Sequence, residues 1–127
     1  MQGRLTLPAR LRLRRKSDFD AAYARGRRLS DGFFTVIATA NEIGAPRLGL
    51  AVAVRAAGGA VARNRLRRII RESFRLNQRA LPALDLVVSV RPKAREVPAR
   101  TLRESLAALW RRIARERRSA ASTHQRR

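Results

Sequence analysis

Helices packed against a small β-sheet, an α+β domain, is the fold class this sequence predicts, and three features carry the prediction. Residues 61–75 place Ala62, Leu66, Ile69, Ile70 and Phe74 three or four apart, the spacing of one face of a helix. Residues 29–40 are rich in aromatic and β-branched side chains and read as a strand, and beyond a turn-forming stretch residues 47–54 read as a second. Residues 86–90 are apolar almost throughout, as in a strand covered on both faces. With a helix at each end, the order is helix, strands, helix, strand, helix.

Each element has its own local reason. Ser17 reads as an N-cap, with Asp18 and Asp20 in the first turn where the helix dipole favours negative charge. Phe19, Ala22 and Tyr23 then share a face, and Gly26 ends the segment. The pattern does not decide whether residues 27–30 form a strand of their own. Asn41 to Pro46 supply turn chemistry before the second strand, and Gly58-Gly59 break the chain before the arginine-rich helix, which extends to about Arg79. Pro82 bounds it, Asp85 opens the next strand, and Pro92 and Pro98 frame a loop. Thr101 and Glu104 have capping-box spacing ahead of a final helix striped with Leu102, Leu106, Leu109, Trp110 and Ile113. The organisation expected is a basic N-terminal arm over residues 1–9, one domain over 10–115, and a frayed or disordered basic tail over 116–127. Residues 1–16 are basic and free of acids like a transit peptide, but Pro8 interrupts any amphipathic helix and no signal core is present, so they read as an ordered or semi-ordered arm.

Charge defines the partner class. Thirty Lys and Arg against nine Asp and Glu give +21 on 127 residues, a surplus that repels itself unless a polyanion is near. Nucleic acid fits; a membrane surface fits less well, because no apolar run has the length of a spanning helix. A hydrophobic fraction of 45% suffices for one core. The absence of cysteine excludes disulfides and thiolate metal sites and accords with a cytoplasmic setting. His124 is the only histidine and lies in the tail, so a Ser-His or Cys-His device is excluded, and Asp18 and Asp20 point to different helix faces. No catalytic constellation can be assembled in the protein.

The arginine-rich helix carries the chemistry that is present. Five arginines lie between residues 63 and 71, with Arg67, Arg68, Arg71 and Arg75 gathered with Asn64 opposite the apolar face. A merely solvated face would interleave acids, and here only Glu72 does so. Arginine suits a polyanion because its planar fork pairs with phosphate in two places and stays charged. Phe19 and Tyr23 have two readings from pattern alone: core packing of an amphipathic helix, or a stacking platform for unpaired bases beside a basic groove. Trp110, inside a leucine stripe, reads as core.

Residues 60–68 (Ala-Val-Ala-Arg-Asn-Arg-Leu-Arg-Arg), then Arg71-Glu72 and Phe74-Arg75, resemble the signature of the bacterial ribonuclease P protein component. The flanks agree in order and spacing: Arg10-Leu11-Arg12 with Asp18-Phe19 and Tyr23, then Arg47-Leu48-Gly49, then Asp85 and the strand up to Arg91. The resemblance implies an αβββαβα two-layer sandwich with a left-handed βαβ crossover, where pattern alone predicts a right-handed one. It implies a protein that binds ribonuclease P RNA and the 5′ leader of precursor tRNA, in an endoribonuclease whose chemistry and most of whose Mg²⁺ belong to the RNA. Carried over by position, Arg63, Asn64, Arg65, Arg67, Arg68, Arg71 and Arg75 would face the catalytic RNA or a nearby metal-bound phosphate. Phe19, Tyr23, Phe33, Thr35, Ile37 and Arg55 would line the leader cleft, which favours the stacking reading of the two aromatics. The sequence departs from the family at Ile37, where a tyrosine is frequent, and in the loop Arg55-Ala56-Ala57-Gly58-Gly59, one residue longer and lacking its second lysine and its Asn. The competing classes are a structural RNA-binding protein of ribosomal type and a DNA-binding module.

Overall fold

The structure is a computed structural model that describes residues 7–125, with side chains described to residue 116. Helix α1 (Lys16–Arg25) leads into strands β1 (Arg27–Ser30), β2 (Phe34–Ala40) and β3 (Arg47–Ala51). A single-turn helix α2 (Val54–Ala57), helix α3 (Ala60–Asn77), strand β4 (Leu84–Val90) and helix α4 (Ala99–Gln125) follow. The strands form one sheet in the order β1-β2-β4-β3. β2 is antiparallel to both neighbours, with Ile37 opposite Val87, whereas β3 and β4 are parallel, with Gly49 opposite Val87. α2 and α3 therefore make the crossover that joins two parallel neighbours.

Alternation along the strands sorts the apolar residues onto two faces. One face, with Leu29, Phe34, Val36, Leu48, Leu86 and Val88, packs against Leu66, Ile70 and Phe74 of α3 and Leu102, Leu106 and Trp110 of α4. Phe74 meets Trp110 edge to face at 6.0 Å between ring centres, and the Trp110 indole N–H donates to Ser73 Oγ at 2.9 Å. Each such fully buried large side chain contributes about 1.5–3 kcal/mol. The other face is covered only in part: α1 sets Ala22 and Phe19 over Ile37 and Val87, with Leu13 completing a smaller cluster. β4 is buried on both sides, as its continuous apolar run requires.

Several boundaries differ from the sequence pattern for visible reasons. The run at 27–40 is two strands, because Asp31 accepts hydrogen bonds from the Phe33 and Phe34 amides and folds the chain into a turn, which Ser105 of α4 also holds. The next strand ends at Ala51 rather than at residue 54, and α2 takes over until Gly58, whose φ of 98° suits glycine. α1 begins at Lys16 with Arg15 at the cap and no capping side chain, so Ser17 is inside the helix. α3 ends at Asn77, where the Asn77 amide turns back to the Ser73 carbonyl and a 3₁₀ turn, Gln78–Ala80, follows. α4 begins two residues before Thr101, whose amide and that of Leu102 bond to the Pro98 carbonyl, so the expected capping box is not at the helix start. The α4 backbone continues through the expected tail to Gln125; those residues contain neither Gly nor Pro to stop a helix. The arm expected over residues 1–9 lies outside the described residues up to position 6, but Leu7 is already buried in the main core.

Candidate nucleic-acid interface

α3 presents its two faces as its sequence dictates. Leu66, Ile69, Ile70, Ser73 and Phe74 are buried, while Asn64, Arg65, Arg68 and Arg71 are exposed and Arg63, Arg67 and Arg75 are half-buried. Arg67 donates to the Asn64 side-chain oxygen at 3.2 Å, which leaves the Asn64 amide to donate outward. Arg63 departs from the expected array, since its Nε is buried and meets no acceptor.

The N-terminal segment completes this surface, a contribution the sequence reading missed. Residues 9–11 make a 3₁₀ turn; the Leu13 amide then bonds to the Leu48 carbonyl at 2.8 Å, and Arg12 bridges to Leu48 in parallel. The segment thus shields the exposed edge of β3 and runs beside α3. One groove along α3 is lined by Leu7, Arg12, Asn64, Arg68, Arg71, Glu72 and Arg75. An adjoining groove is lined by Leu7, Arg12, Leu13, Arg14, Phe19, Leu48, Leu50, Arg67 and Arg71. Arg71 has its pKa lowered, first by partial burial and then by the neighbouring Arg12 and Arg67 charges. Glu72 is the acid lining these grooves, and it is turned 3.8 Å from Arg103 of α4.

The residues expected to line a leader cleft separate into four environments. Tyr23 is 52% exposed on α1, and Arg55 is exposed on α2. Phe19 is half-buried, packs into the smaller cluster and also lines the second groove beside Arg67 and Arg71. The arginine surface of α3 and the Phe19 ring of α1 therefore meet. Thr35 and Ile37 lie on the face of β2 that α1 covers; Thr35 is buried, and Ile37 is core beneath Ala22 rather than an open floor. Phe33 precedes β2 and packs against the main core on the opposite side, because the Asp31 turn interrupts the alternation that would place it beside Thr35.

Four further motif residues, Asp18, Arg47, Gly49 and Asp85, position α1. Arg47 pairs with Asp85 through two bonds of 2.8 Å, Asn41 donates to the same carboxylate at 2.8 Å, and Asp18 stands 3.7 Å from Arg47. The hydrogen bond to Asp85 raises the Arg47 pKa. Gly49 allows α1 close to the sheet: a Cβ there would lie 2.9 Å from both Leu13 Cδ1 and Phe19 Cζ. Spacing alone could not reveal a pairing of residues 38 apart. Among the described residues no group of three or more His, Asp or Glu side chains converges. Among those residues, no helix is long and apolar enough to cross a membrane.

The fold is a small α+β domain with an acid-poor arginine groove beside a half-covered sheet, a surface whose charge is complementary to a polyanion. The family model described as Ribonuclease P matches residues 7–114, and the chain belongs to that family. It is 42% identical over 109 residues to the ribonuclease P protein component of Photorhabdus laumondii, covering 86% of this chain and 92% of that protein. The Yersinia pestis ribonuclease P protein component is 41% identical over 113 residues, covering 89% and 95%. Among solved structures, the Staphylococcus aureus RNase P protein superposes with a TM-score of 0.76 at 31% identity, covering 82% of this chain and 94% of that one. The RNase P protein from Thermotoga maritima gives 0.74 at 36% identity, covering 80% and 96%.

Proposed function

We propose that this chain binds a catalytic ribonuclease P RNA through the arginine surface of α3 and binds the 5′ leader of precursor tRNA beside α1. In this assembly the RNA carries the hydrolytic chemistry and holds most of the Mg²⁺. The protein contributes phosphate contacts, and the work is done in the bacterial cytoplasm. The observation that carries the reading is the acid-poor pair of grooves built from Arg12, Arg67, Arg68, Arg71 and Arg75, in a chain of this family. Such a surface neutralises backbone phosphates and lowers the Mg²⁺ needed to bring two RNAs together. Tyr23, exposed on α1, supplies a flat ring for an unpaired base, and Arg55 supplies charge from the single-turn helix α2 before α3. The Phe19 ring is set at the junction between the two surfaces.

The test is reconstitution with the ribonuclease P RNA of the same genome. Leader removal at low Mg²⁺ should require both components, and the protein alone should cut nothing. Cleavage by RNA-free protein, or no effect of the protein on the Mg²⁺ requirement, would overturn the proposal.

A further inference from the structure

We propose that Arg12 and Arg71 together form a prebuilt seat for a single backbone phosphate of the bound RNA, where the two grooves join. This inference rests on the reading of α3 as an RNA surface and adds a residue outside that helix. Arg12 and Arg71 line both grooves, so a strand passing from one groove to the other crosses them. Arg12 Nε donates to the Leu7 carbonyl at 2.8 Å, and the segment carrying it is tied to β3 at Leu13. The guanidinium is therefore held at its inner edge, with its two terminal nitrogens left to donate elsewhere. Neither Arg12 nor Arg71 takes part in an ion pair among the described residues, although their charges are close enough to oppose one another. Two mutually repelling forks, one of them held by the Leu7 carbonyl, gain most from an anion that accepts from both. A phosphodiester has two free oxygens for that role.

The experiment measures the affinity of the full chain for the catalytic RNA across a salt series, for Arg12→Ala, Arg71→Ala, the double variant and Arg68→Ala. One lost phosphate contact lowers the slope of log affinity against log salt by about 0.7–0.9. A seat that holds its phosphate only with both forks in place loses it when either is removed, so each single variant loses about that much and the double variant loses no more. A double loss twice as large, or an unchanged slope for Arg12→Ala, overturns the shared seat. Arg68→Ala separates the two levels: if it lowers the slope while Arg12→Ala does not, only the seat fails. If none of the variants changes the slope, the RNA-binding reading fails with it. The melting temperature of each variant covers the case in which loss of the Leu7 contact disturbs folding, and the fork itself is tested by Arg12→Lys. It keeps the charge, so the slope should persist while affinity falls several-fold, and affinity equal to that of the parent overturns the fork geometry.

Discussion

Replacing Arg47 with Ala should destabilise the domain by about 2–4 kcal/mol, although the residue lies outside the proposed RNA surface. Its side chain is 18% exposed and that of Asp85 is 11% exposed, so the pair is largely but not fully desolvated. Removal deletes two 2.8 Å hydrogen bonds and leaves the Asp85 charge with only Asn41 as partner. Orphaning one member of a buried pair costs about 3–5 kcal/mol, and residual solvent access lowers that somewhat. In a domain of this size about 3 kcal/mol corresponds to a melting temperature lower by roughly 10 °C. Urea unfolding of the parent and Arg47→Ala reads the loss, and Arg47→Met, Asp85→Leu and the Arg47→Met/Asp85→Leu double variant complete a cycle with the parent. The double variant should recover most of the loss, because matched apolar side chains leave no buried charge. Pairing raises the Arg47 pKa, so the charged form is favoured in the fold; its contribution is fully present below its ordinary value and is lost only as pH rises past the raised one. The penalty of Arg47→Ala should accordingly stay constant between about pH 6 and 9, as far as Arg47 itself is concerned. A single variant within about 0.5 kcal/mol of the parent, or a double variant as unstable as the sum of the singles, would refute the argument.

Gly49→Ala should cost about 1–3 kcal/mol by overpacking, since its methyl would sit 2.9 Å from Phe19 and Leu13; thermal unfolding reads this directly. Trp110→Phe should destabilise by about 1–3 kcal/mol, because Ser73 Oγ loses its indole donor and a void remains beside Phe74; a loss confined to RNA affinity would contradict the core assignment. Tyr23→Ala should weaken precursor tRNA by about 1–3 kcal/mol while leaving mature tRNA affinity and the melting temperature unchanged. Phe19→Ala should lower both precursor affinity and melting temperature, since that ring packs into the smaller core as well as lining the groove; equal behaviour of the two variants would show that their environments do not differ as described.

What could be read from the sequence was what depends on short-range periodicity. The two faces of α3, the stripe on α4 and the doubly covered β4 follow from spacings within a single element, and the structure places each accordingly. What could not be read depended on contacts between elements. Asp31 divides one apparent strand into two because its carboxylate accepts from the Phe33 and Phe34 backbone amides. Ile37 belongs to the core because α1 lies over it, and Phe33 falls on the opposite side because the turn breaks the alternation. The family motif residues Asp18, Arg47, Gly49 and Asp85 were legible as a resemblance, but their work in seating α1 emerges only when 38 residues of chain close on the Arg47–Asp85 pair. Arg12 stayed outside the sequence-derived site because nothing in local spacing brings the N-terminal segment against α3.

Directed cleavage from single introduced cysteines tests the central claim most directly, and the cysteine-free chain permits it without background. Exposed positions are available on each surface: Asn64 and Arg68 on α3, Ala24 on α1 and Ala108 on α4. An iron chelate tethered at each in turn, in the reconstituted complex with catalytic RNA and precursor tRNA, generates radicals that cut nearby backbone. Probes at Asn64→Cys and Arg68→Cys should cut the catalytic RNA, and a probe at Ala24→Cys should cut the 5′ leader. Strongest cutting of the catalytic RNA from Ala108→Cys, with none from positions 64 and 68, would contradict the assignment of α3 as the RNA surface.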